Sequence, residues 1–166
     1  MIGAIFCGAG CAALGWLYAG HSMWRVHFWE ELYQTLQTLC NQIDYALLPL
    51  PQCLSQAESK PLCGAIFAGM LRNLTGNTPQ EAYVCAVEAC LKTPQYQRLT
   101  QQDEQLLLGA ASIFAPLRSQ IVESAHAYCG QVLQYINFIR PQCQKGAKLC
   151  GTLGMFGGAL LFILLV

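Results

Sequence analysis

The sequence predicts an all-α protein: a cytoplasmic helical bundle held between two long helices that continue into N- and C-terminal transmembrane segments. Three observations predict it. Apolar residues recur at helical spacing, and no stretch alternates as a strand does. Every Asp, Glu, Lys and Arg lies between Arg25 and Lys148, so both flanking stretches are uncharged. Pro, Gly and hydroxyl residues fall where helices start and stop. Of 166 residues, 54% are hydrophobic and 11% charged, against about 25% charged in an ordinary soluble domain. The uncharged flanks account for much of that shift. They divide the chain into a transmembrane helix at 1–24, a cytoplasmic α-helical domain at 25–148 and a second transmembrane helix at 149–166.

The first stretch is long enough for a span, which needs about 20 apolar residues. It lacks a basic leader region and exceeds the usual signal-peptide core of about 7–15 residues. A retained helix is therefore expected, with a cleaved leader as the alternative. Small residues recur every fourth position: Gly3, Cys7, Cys11, Gly15 and Ala19. Gly146, Cys150, Gly154 and Gly158 repeat the device near the other end. Such ridges let helix backbones approach closely. Gly15, Ala19, Gly154 and Gly158 are the candidate packing residues, against each other or against neighbouring subunits, and a homo-oligomer stays open. Arg25 follows the first span, and Arg140, Lys145 and Lys148 precede the second. The positive-inside rule then puts 25–148 in the cytoplasm. The lipid bilayer is the first expected partner.

Within the domain, Trp24, Phe28, Leu32, Leu36, Leu39, Ile43 and Leu47 mark one helical face, so the first span and this amphipathic helix form one rod. Pro49 and Pro51 force a turn, and a short helix follows from Pro51 to Glu58. A buried helix is expected over 61–74, opened by Pro61 and stopped by Gly76. Thr78-Pro79-Gln80-Glu81 is a capping box that starts a helix to Lys92, ended by Thr93-Pro94. Thr100 to Asp103 is a second box, opening a helix to about Ala111. Pro116 opens the last helix, with Leu117, Ile121, Ala125, Cys129, Val132, Leu133, Ile136 and Ile139 on its apolar face. Pro141 is a potential kink.

Chemistry is sparse. Zero net charge and the lack of a basic patch argue against nucleic acid. No phosphate-loop, dinucleotide or nucleophile-elbow fingerprint occurs, so no cofactor is expected. His126-x-x-Cys129 puts a thiol and an imidazole on one helix, but without two further ligands at a diagnostic spacing. Glu81 and Asp103 are explained by capping and solubility. The ten Cys include no CxxC pair and suit a reducing cytoplasm as small apolar residues. An enzyme is not expected. Two alternatives remain: a secreted, disulfide-stapled helical protein released by signal cleavage, and a membrane-bound thiol or metal protein using His126 and Cys129.

Three local patterns occur in order. They are Leu36-x-x-Leu39-x3-Ile43-x-Tyr45 followed by Leu48-Pro49-Leu50, the stretch from Asp103 through Gly109 to Gln120, and Lys145-x-x-Lys148-Leu149-Cys150-Gly151 leading into the apolar tail. In this order and spacing the chain resembles, over essentially its whole length, the stage III sporulation protein AB family of endospore-forming bacteria. It departs from the family pattern at Cys40 and Gln42, where acidic residues are usual, and at Ile113 and Pro116, where Gly and Asp are usual. The resemblance implies a subunit of the secretion-like complex linking mother cell and forespore. It also implies similarity to the inner-membrane platform proteins of type II secretion and type IV pilus systems. The implied partners are a secretion-type cytoplasmic ATPase (stage III sporulation protein AA) and other membrane subunits. The implied place is the mother-cell membrane around the forespore, with the domain facing the mother-cell cytoplasm.

Overall fold

Helices begin and end here where side chains or turns supply the partners that terminal backbone groups lack. In the computed structural model the backbone is described for residues 2–114 and 118–165. Side chains are described for 23–114 (Asp44 excepted), for 123–149, and for Gly10, Ala13, Gly20, Thr152 and Phe156. The elements are α1 (Ile2–Asp44), α2 (Leu50–Ala57), α3 (Gly64–Asn73), α4 (Pro79–Leu91), α5 (Gln101–Gly109) and α6 (Arg118–Leu165), with 3-10 turns at Tyr96–Arg98 and Ala110–Phe114. No strand occurs among the described residues, so the all-α expectation stands. α1 is assigned as one helix from Ile2 to Asp44, so the helix marked by the periodicity from Trp24 continues from the first stretch without a break.

The chain divides into two compact units, one of Phe28–Tyr135 and one of Met1–His27 with Ile136–Val166. In the first, α1 buries Phe28, Trp29, Leu32, Leu36, Leu39 and Ile43 at steps of one to four residues. α3 packs on α2 and α4, and α4 also meets α5 and the turn after it. Ile66, Phe67 and Met70 of α3 and Tyr83 and Val87 of α4 are fully enclosed. In the second unit, Val26, Ile136, Ile139 and Cys143 are buried, and Phe138, Leu149 and Phe156 are exposed. Among the described residues no helix is long and apolar enough to cross a membrane. Most side chains of the expected spans at 1–24 and 149–166 lie outside the described residues, as do Pro116, Leu117 and Ile121.

Both capping boxes form. Thr78 Oγ1 accepts from the Glu81 N–H at 3.3 Å, and the Glu81 carboxylate accepts from the Thr78 N–H at 3.0 Å. That backbone donor, with the Thr78 hydroxyl second, holds the exposed Glu81 carboxyl below its usual value. Gly76, at φ +95°, makes the turn after α3 in a region that residues with a Cβ disfavour.

Four details differ from expectation. α3 starts at Gly64 rather than Pro61. The Leu62 and Cys63 N–H groups donate to Glu31 Oε1 of α1, at 2.7 and 2.9 Å, and so hold 61–63 as a turn. Gly64 itself lies so close to the Glu58 carbonyl that a Cβ would collide with it. α5 stops at Gly109, and the chain tightens into a 3-10 turn where an α-helix to Ala111 was expected. Leu47 is exposed because α1 has already ended at Asp44, so the periodicity outruns the helix. Leu133 is 43% exposed because its neighbour Val132 holds the inward position.

Candidate functional site

α5 is the element to which the others are tied. Thr100 caps it: Thr100 Oγ1 accepts from the Asp103 N–H at 3.4 Å, and Asp103 Oδ2 accepts the Thr100 N–H and hydroxyl, both at 2.7 Å. The other carboxylate oxygen points into the core. Asp103 Oδ1 accepts Trp29 Nε1–H of α1 at 2.7 Å and the Tyr135 hydroxyl of α6 at 2.8 Å. Asp103 is fully buried, so its oxygens are desolvated and these four donors replace water. The Trp29 and Tyr135 rings meet edge to face at 5.5 Å and enclose it further.

The far end of α5 is held the same way. There the Ala110 N–H turns back onto the Leu107 and Leu108 carbonyls, and tyrosine hydroxyls add further donors. The Tyr128 hydroxyl of α6 donates to the Leu106 carbonyl at 2.7 Å, and the Tyr83 hydroxyl of α4 to the Leu107 carbonyl at 3.1 Å. Burial pushes both phenols up, so they stay protonated donors throughout the working pH range. Tyr96 adds a similar bond to the Leu62 carbonyl at 2.7 Å.

Asp103 is thus a cap, as the sequence indicates, but its solubility role is wrong: it is a buried polar hub. The box signature conceals this, because it assigns the carboxylate a sufficient local partner. The available hint is Trp29, whose indole N–H needs an acceptor once the ring is buried.

The remaining sequence candidates do not converge. His126 is exposed and Cys129 buried, so they do not form one site, and among the described residues no three His, Cys, Asp or Glu side chains gather as a metal site. All seven described cysteines are free thiols, which removes the disulfide reading for them. Cys7, Cys11 and Cys150 lie outside the described residues. Burial pushes the Cys63 thiol up to about 12, with the Thr35 hydrogen bond opposing, and burial also raises Cys90 and Cys129. Such thiols are poor nucleophiles. Arg25 is half-buried, and Arg140, Lys145 and Lys148 are exposed. Gly15, Ala19, Gly154 and Gly158 lie outside the described residues.

Two recesses open on the domain surface. One, of about 150 Å³, lies between α1 and α2 beside Thr35, Thr38, Gln42, Gln56 and Lys60. The other, of about 390 Å³, lies between α3 and α4 beside Ala65, Gly69, Arg72, Ala86 and Cys90. Lys60 is the charged side chain lining the first, and Arg72 the one lining the second. The Cys40 and Gln42 departures are accommodated locally: Cys40 is buried, and Gln42 Nε2 donates to Gln56 Oε1 at 2.5 Å.

The chain matches the family model of Stage III sporulation protein AB over residues 1–166. It therefore belongs to that family, and membership carries a role in sporulation. No curated protein and no solved structure is significantly similar to it.

Proposed function

We propose, on the premise of that family membership, that the protein is a non-enzymatic membrane platform of the channel-like sporulation complex between mother cell and forespore. The match over residues 1–166 is the observation that carries the reading. Residues 1–24 and 149–166 span the mother-cell membrane around the forespore, and 25–148 face the mother-cell cytoplasm. The uncharged character of both segments supports this, as do the cations Arg25, Arg140, Lys145 and Lys148 that flank them on the domain side. Gly15 and Ala19, with Gly154 and Gly158, form the close-packing ridges.

The domain docks a secretion-type ATPase, stage III sporulation protein AA, and connects it with the other membrane subunits. A helical bundle in which α5 is tied at both ends by hydrogen bonds to α1, α4 and α6 is a suitable rigid mount. The test is co-expression of the full chain with the ATPase, followed by membrane fractionation. The ATPase should sediment with membranes only when the chain is present. An ATPase that stays soluble in its presence contradicts the reading. Gly154→Leu should block assembly into the complex while leaving the domain folded, as read by its circular dichroism.

A further inference from the structure

Zero net charge hides a separation of charge along the chain. All nine acids lie between Glu30 and Glu123, inside the unit Phe28–Tyr135, together with five of the nine cations. The other unit, Met1–His27 with Ile136–Val166, holds Arg25, Arg140, Lys145 and Lys148 and no Asp or Glu. One unit is therefore formally −4 and the other +4, with His neutral.

Three of those four cations stand within nine residues of α6. Arg140, Lys145 and Lys148 are all exposed, and no acid follows Glu123. Lys148 directly precedes the uncharged run 149–166. Lys145, Leu149 and Phe156 follow one another at steps of four and seven residues, so they share one side of the helix. Leu149 is 60% exposed and Phe156 73%. That side offers a cation first and then two apolar side chains, about 6 and 17 Å further along at about 1.5 Å per residue.

We infer that the cluster of Arg140, Lys145 and Lys148 binds the headgroups of anionic phospholipids, an assignment that rests on the membrane placement above and not on the ATPase. The order of the groups selects this occupant. An anionic lipid carries a phosphate and then an acyl chain, which matches a lysine followed by exposed leucine and phenylalanine on one side of a helix. A free phosphate or a purely acidic protein surface would meet the lysines and leave Leu149 and Phe156 in water. A second copy is a poor match, because nowhere in the chain do nine consecutive residues contain three acids. The negative unit agrees with the assignment: an anionic surface repels it and attracts the cluster, which turns the domain away from the headgroups.

The test reconstitutes the full chain into vesicles of equal parts phosphatidylcholine and phosphatidylglycerol. Electron spin resonance of spin-labelled lipids of each headgroup reads which lipid contacts the protein. A cation near an anionic surface is worth about fivefold in affinity, so the unaltered chain should prefer phosphatidylglycerol by about fivefold or more. High salt should reduce the preference. Lys145→Gln combined with Lys148→Gln should bring it below about twofold, and Lys145→Arg combined with Lys148→Arg should keep it. Lys92→Gln, an exposed change at the end of α4, should leave it unaltered. Equal contact of the two lipids with the unaltered chain overturns the assignment while the membrane placement stands. A preference that survives the double glutamine change also overturns it. A chain that enters vesicles of neither lipid removes the membrane placement as well.

Discussion

The Asp103 hub and the Tyr45–Leu48 turn are opposites. At the hub a carboxylate is fully buried, and at the turn an aromatic and an aliphatic side chain face solvent. Each side chain stands where its own hydration would not put it. The hub is balanced inside the molecule, since Trp29, Tyr135 and Thr100 supply the donors that burial removes. The turn has no such internal balance: Leu47 keeps its left-handed backbone and its exposure together. The difference separates two kinds of unusual residue. A buried polar group with all its donors holds the fold, whereas the exposed Leu47 carries a backbone cost that no burial of its side chain offsets.

Substitutions at the two regions should behave differently. The largest effect is expected from Asp103→Ala, which leaves the Trp29 N–H, the Tyr135 hydroxyl and the Thr100 N–H without their acceptor. Only the Trp29 N–H is fully buried, so at about 1–3 kcal/mol per buried unsatisfied group the loss should be on the order of 2 kcal/mol in denaturant unfolding of the chain in detergent. A loss under about 1 kcal/mol would mean the hub is dispensable. Leu47→Gly should move stability little, between no change and a gain of about 1 kcal/mol. Relief of the left-handed strain is offset in part by the freedom glycine adds to the unfolded chain. A clear destabilisation there would make Leu47 a structural residue and erase the contrast.

The smallest effect concerns the thiols. Under native conditions near pH 8, Cys85 should alkylate first among the described cysteines, because it alone is exposed. Cys63 should resist. Its thiol is raised from 9.0 to about 12 in the folded protein, chiefly by burial. The folded state therefore holds this proton more tightly than the unfolded chain. The resulting stability is intact below pH 9 and is lost as pH rises toward 12. Mass spectrometry of timed alkylation checks the order of labelling.

Much of the helical framework is legible in the sequence because its signals are local. The two capping boxes, the Pro49–Pro51 turn and the Thr93-Pro94 stop each involve residues a few positions apart. What is not legible depends on distant partners. The donors that meet Asp103 Oδ1 come from 74 and 32 residues away. The start of α3 is set by Glu31, about thirty residues earlier. Leu47 fits the periodic face yet lies past the end of α1, a distinction that hydrophobic spacing does not make. The ridge residues Gly15, Ala19, Gly154 and Gly158 are visible in the sequence as a pattern, and their packing belongs to the proposal.

The most direct measurement is amide hydrogen exchange on the full chain in nanodiscs, with and without the ATPase. Exposed segments of residues 25–148 should gain protection when the ATPase is added, while α5, already held by its bonds at both ends, should not change. Unchanged exchange throughout residues 25–148 on addition of the ATPase would contradict the account.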